Sequence, residues 1–159
     1  MKPDPRIVLF RLIALLELLG GVWGLYRLVA LVQRNPWSAA LVVVASLFTL
    51  IFLLFITAGV LLWRGRPLGL WLSLAVQALQ LPHIISGPFG FFFASPASVA
   101  VGLSGDFAPQ ISALWHPGMG FAIDSEVELT WIGVNLLALA AILILVRLRR
   151  RPAAAPSRG

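Results

Sequence analysis

Residues 39–67 read AALVVVASLFTLIFLLFITAGVLLWRGRP, an apolar run with no charged side chain before Arg64. A run of about eighteen or more such residues can cross the roughly 30 Å hydrocarbon layer of a bilayer as a helix rising about 1.5 Å per residue. Ser38 stands in front of the run as an N-cap acceptor. Behind it, Arg64-Gly65-Arg66-Pro67 supplies basic charge, a helix stop and a new helix start. This short connection makes the helices on either side of it antiparallel neighbours.

With three further runs of the same description it makes four, numbered in chain order. The first covers about residues 7–32, entered through Asp4-Pro5 and left at Asn35-Pro36. It is longer than the apolar region of a signal peptide and contains Glu17, so it is expected to remain as an uncleaved helix. The second and third runs are 38–63 and 67–86, with Pro82 expected to kink or end the latter by removing a backbone donor. The fourth covers about 127–147, introduced by Ser125-Glu126-Val127-Glu128, a capping-box pattern with acids at the positive end of the helix dipole.

Composition agrees with this reading: 60% of residues are hydrophobic and only 11% charged, against roughly 45–50% and 25% in soluble domains. A soluble enzyme is excluded on that ground. The absence of cysteine excludes thiol catalysis, disulfides and thiolate metal sites. Ten of the twelve bases are Lys2, Arg6, Arg11, Arg64, Arg66, Arg147, Arg149, Arg150, Arg151 and Arg158, and none lies between Pro67 and Val146. The positive-inside rule turns that asymmetry into an orientation: four spans, both termini cytoplasmic, in a plasma (inner) membrane. Trp63 and Trp71 then fall at the basic face, and Tyr26, Trp37 and Trp131 near the opposite one.

The loop from about 87 to 124 changes in composition to Gly, Ser, Pro and Phe. Val99, Val101 and Leu103 alternate with Ser98, Ala100, Gly102 and Ser104, a strand period of two. Ser104-Gly105-Asp106 supplies the turn. The expectation is an antiparallel sheet of about three short strands on the extracytoplasmic side, with the Val-Val-Leu face against the bilayer or the top of the bundle. Phe89, Phe91, Phe92 and Phe93 are expected in the membrane interface. The fold class is thus an all-α membrane protein: a four-helix transmembrane bundle, residues 1–151 as one domain, a small sheet between helices 3 and 4, and a disordered tail over 152–159.

Glu17 lies ten residues into the first run, about 15 Å deep. An ionised acid at that depth costs roughly 2.5–3.5 kcal/mol on insertion scales, which makes it a functional candidate. As a neutral acid it would instead serve as interhelical hydrogen-bond glue. Depth counting places Gln77, Gln80 and Asn135 in the same slab, with His83 above them, and lipid offers none of these groups a partner. The membrane-embedded polar cluster is therefore Glu17, Gln77, Gln80, His83 and Asn135. Gly20, Gly21 and Gly24 share or flank the Glu17 face and suit close helix packing. Helical Ser46 and Thr49 are expected to bond their own preceding turn.

The two histidines, His83 and His116, lie too far apart in sequence to make a metal site with Asp106 and Asp124. No paired-carboxylate, triad or phosphate-loop pattern occurs, so neither catalytic residues nor a cofactor is expected. A membrane-embedded glutamate in the first of four helices resembles the proton-coupled small multidrug transporters, and that likeness implies cation or proton binding at Glu17 alone. Two functions follow. The first is a non-enzymatic membrane module whose partners are the bilayer, a membrane protein or a second copy of the chain, with no nucleic acid. The second is a small proton- or cation-coupled transporter or channel built on the polar cluster.

Overall fold

The structure, a computed structural model, describes residues 4–85, 89–94, 96–114, 118–123 and 131–150. Within them lie four helices, α1 (Pro5–Arg34), α2 (Ala39–Trp63), α3 (Pro67–Leu79) and α4 (Leu136–Arg150). Six strands stand between α3 and α4: β1 (Pro82–Ile85), β2 (Phe89–Ala94), β3 (Ser98–Ser104), β4 (Pro109–Leu114), β5 (Gly118–Ile123) and β6 (Trp131–Asn135). The capping-box tetrad, His116, Asp124 and the 152–159 tail lie outside the described residues.

The helix ends follow local chemistry. Asp4 accepts the Arg6 N–H at 2.9 Å with Pro5 opening α1, and Ser38 Oγ accepts the Leu41 N–H at 3.1 Å at the start of α2. α1 stops before Asn35-Pro36, where the Asn35 side chain donates to Leu31 O at 2.7 Å. Among the described residues, only α1 and α2 are long and apolar enough to cross a membrane as helices.

The third and fourth apolar runs differ from the expected helices. α3 ends at Leu79, not near Ser86, because Pro82 cannot continue the ladder and the β-branched pair Ile84-Ile85 follows it. The fourth run opens as a strand: Trp131, Ile132 and Val134 suit a pleated surface, and α4 begins only after Asn135, whose Oδ1 accepts the Leu137 N–H at 3.1 Å. The fold is therefore four helices plus an antiparallel sheet larger than expected, not an all-α bundle. The sheet takes residues from both flanking runs as well as from the loop.

Strand order is β4-β3-β6-β1-β2-β5, antiparallel throughout. β1 and β6 pair from Pro82↔Val134 to Ile85↔Trp131, which ties the end of α3 to the beginning of α4. In β3 the expected alternation holds, but its inward face is the small one. Ser98, Ala100 and Ser104 are buried, while Val101 and Leu103 are exposed opposite Ile111, Val134 and Ile132. Small residues allow the close approach. A side chain at Gly133 would strike the Trp131 indole at 2.7 Å, so the ring occupies the space the glycine leaves. Trp131 is accordingly buried, whereas Tyr26 and Trp37 are exposed.

Two cores result. At the sheet end, Phe93 is buried among Phe48, Phe52 and Phe55 of α2, with ring centroids 6.2, 5.4 and 5.2 Å away. The phenylalanine run is thus a strand whose last ring is a core anchor, and Phe91 packs on the same cluster. At the basic end, Ile13, Ala14, Leu62 and Leu145 draw together α1, α2 and α4. α1 meets α2 through glycine: a Cβ on Gly21 would lie 3.0 Å from Phe52 O, and one on Gly59 would lie 2.8 Å from Ala14 O. Arg11 stacks over Trp63 at 5.4 Å and Arg149 over Trp71 at 4.3 Å, so both tryptophans lie beside the basic residues.

Candidate functional site

Glu17 projects from the buried face of α1, a stripe formed by Ile13, Ala14, Glu17, Gly20, Gly21, Gly24 and Leu28. It is 1% exposed. On α3, Ser73, Gln77 and Gln80 recur at spacings of four and three, so they line one side of the helix and its cap. Ser73 Oγ donates to Glu17 Oε2 at 2.7 Å, and Gln77 Nε2 donates to Glu17 Oε1 at 3.1 Å. Gln80 Nε2 then donates to Gln77 Oε1 at 3.3 Å. Every donor in this chain points towards the carboxyl group, and both of its oxygens are engaged. Its described partners are neutral, so the arrangement is a closed polar clasp between α1 and α3, not an ion pair.

Three of the residues singled out from the sequence therefore come together: Glu17, Gln77 and Gln80. Ser73 was missed, although its place four residues before Gln77 on the same helical face was the available signal. Asn135 and His83 do not join the chain. Asn135 sits at the β6–α4 junction, where its backbone N–H donates to Leu81 O at 3.0 Å and its side chain caps α4; its Nδ2 is buried without a hydrogen-bond partner. His83 lies in β1, stacked on Phe92 at 4.9 Å and edge-on to Trp131 at 4.4 Å. Asn135 does lie level with the end of α3, beside Leu81, but it and His83 belong to strands and make no described hydrogen bond to the clasp. Gly20, Gly21 and Gly24 are all buried on the Glu17 face, and α2 supplies the neighbours of the last two. Thr49 bonds Ala45 O at 2.7 Å in its own helix.

A cavity of about 260 Å³ lies between α1 and α4, with Gln77 and Gln80 on its wall and Leu12, Leu16, Ala138 and Ala141 among its apolar lining. Glu17 does not line it. Among the described residues, no three His, Asp or Glu side chains group as metal ligands. Comparison with protein-family models, with curated proteins and with solved structures finds no match.

Outside the clasp, the β3–β4 hairpin carries its own polar knot. Ser104 Oγ bonds the Asp106 carboxylate and lies 3.0 Å from Ala108 O, and Asp106 also accepts the Ala108 N–H at 3.4 Å. The Ser104 hydroxyl, helped by that N–H, holds the Asp106 carboxyl below its ordinary value. Beside it, Phe107 is 81% exposed and adopts φ +60, a conformation rare outside glycine.

Proposed function

We propose that the chain is a non-enzymatic integral membrane module that meets lipid or a membrane partner through its sheet. The observation that carries this reading is the sheet's outward face, where Val101, Leu103, Ile111, Ile132 and Val134 are all exposed side by side. Soluble proteins rarely present an apolar surface of this kind without a use for it. Helix lengths give it a place. α3 and α4, with 13 and 15 residues, reach about 20 and 22 Å, short of a hydrocarbon core of roughly 30 Å. Adding β1 and β6 at about 3.3 Å per residue extends each to beyond 30 Å. Each is then a composite span, helical in the basic, cytoplasmic half and stranded in the outer half.

The transporter reading has one observation in its favour, the cavity whose wall carries Gln77 and Gln80. Against it, Glu17 is closed off by Ser73 and Gln77 instead of facing that space. A photo-crosslinking residue at position 111 in native membranes tests the preferred function. Adducts to lipid or to one discrete protein are the expected result. Solvent quenching with no adduct would overturn it.

A further inference from the structure

The corner between α2 and α3 holds a second, partly open cavity, lined by none of the clasp residues. Its volume is about 380 Å³ and its lining includes Arg11, Arg64, Arg66 and Trp63, with Phe10 and Leu70 in its apolar part. Three arginines are among its lining residues, and none of the described lining residues is acidic.

The bases are held on a fixed frame. Gly65 takes φ +65, its N–H donates to Leu62 O at 3.0 Å, and the Arg66 N–H donates to Leu61 O at 2.9 Å. These two bonds close the α2 terminus in a Schellman arrangement. Pro67 opens α3 immediately afterwards, so Arg64 and Arg66 leave a corner with little backbone freedom. Arg11 reaches the same space from α1, stacked over Trp63. Three arginines thus border an apolar-floored space with no acidic residue among the described lining, and guanidinium suits phosphate oxygens. Diffuse attraction to a membrane surface needs no cavity, whereas this site has one. Arg147 and Arg149 provide the contrast, since they lie on α4 and do not line it.

We infer that this cavity binds the phosphate headgroup of an anionic phospholipid, with Arg11, Arg64 and Arg66 as its ligands and the apolar floor against the first part of an acyl chain. The inference rests on the membrane reading above, and alkaline extraction of the same membranes checks that reading separately.

The test uses the full chain reconstituted in phosphatidylcholine bilayers, with and without phosphatidylglycerol. Thermal unfolding and lipid retained in native mass spectrometry are the readouts. Phosphatidylglycerol should raise the unfolding midpoint and be retained. Arg64→Gln with Arg66→Gln should weaken retention by about fivefold for each base removed, while leaving the midpoint in phosphatidylcholine alone unchanged. Arg147→Gln with Arg149→Gln should retain the lipid like the parent. Equal losses in the two pairs, or no effect of phosphatidylglycerol on the parent, would overturn the site. So would an equal shift from inorganic phosphate in neutral bilayers, which would assign the cavity to a soluble anion. A chain washed out by alkaline treatment would instead remove the membrane reading itself.

Discussion

α1 and α2 are long unbroken helices, whereas α3 and α4 are short and adjoin β1 and β6 in sequence, which pair with each other. The two halves are held by different means. The helical half is joined by a polar clasp, Glu17 to Ser73 and Gln77. The stranded half is joined by aromatic packing, Phe93 among three phenylalanines of α2. Backbone hydrogen bonding explains the division: a helix satisfies its own N–H and C=O groups, but a strand requires neighbours, so chain that leaves the helical state must do so beside other strands.

Breaking the aromatic anchor should have the largest effect. Phe93→Ala empties a site that is 2% exposed and should destabilise by on the order of 3 kcal/mol, as large-to-small core changes do. Chemical denaturation in detergent, read by protease sensitivity of the sheet, would measure it. A sheet that loosens while α1–α2 packing persists supports two separately secured halves. Full cooperative loss of both would show that they form one unit.

The clasp comes next. Glu17→Leu leaves Ser73 and Gln77 without their acceptor and should cost about 0.6–2 kcal/mol, the range of interhelical bonds in membranes. Glu17→Gln keeps an acceptor and a similar shape, and should leave stability and phenotype nearly intact. Expression, thermal stability and any growth or transport phenotype of the two variants should be compared side by side. A stable but inactive Gln variant would promote the transporter over the module.

How far the sequence carried depended on whether one periodicity ran through a whole segment. α1 and α2 were legible because their apolar runs end at punctuation marks, Asn35-Pro36 and Arg64-Gly65. β3 was legible from its alternation. The short helices were not, because an apolar run long enough to span looks the same whether it is helix throughout or changes to strand partway. Pro82 marks one change, and Asn135, buried as expected, also caps α4 and marks the other. His83 and Asn135 left the candidate cluster for that reason. For β3, hydrophobicity alone left Val99, Val101 and Leu103 against either the bilayer or the top of the bundle, and the structure leaves Val101 and Leu103 exposed. Close approach of Gly102 to the backbone of Ile132 and Gly133 keeps the inward side small, and Val101 and Leu103 turn outward.

The two faces of β3 can be tested more gently. Under the membrane reading Val101→Asp exchanges a lipid-facing side chain for a charge, at about 1 kcal/mol or less near the interface. Ser104→Val, on the inward side, should unsettle the hairpin by removing the hydroxyl that bonds Asp106 and sits beside Ala108 O. Equal tolerance of both would mean the assigned faces have no energetic content. At the hairpin tip, Phe107→Gly removes the side chain that makes φ +60 unfavourable and should stabilise by roughly 0.5–1 kcal/mol. Loss of partner or lipid adducts in that stabilised variant would show that the exposed ring is kept for contact.

The smallest effect expected is a pH dependence confined to the same hairpin. Asp106 is exposed, and its carboxyl is held below its ordinary value first by the Ser104 hydroxyl and then by the Ala108 N–H. Because the folded value lies below the unfolded one, Asp106 binds protons more readily in the unfolded chain. Its contribution is therefore fully present above the ordinary aspartate range and is lost as pH falls through that range towards the depressed folded value. Asp106→Asn removes the titrating group, so the parent should exceed the variant in hairpin protection from amide exchange at neutral pH and converge with it in acid. The Phe93 anchor contains no titrating group, and its protection should not change with this substitution at any pH. Convergence in the hairpin with an unchanged anchor would locate the effect at the turn. A gap that stays constant down to strongly acidic pH would show that Asp106 acts through its shape and not its charge.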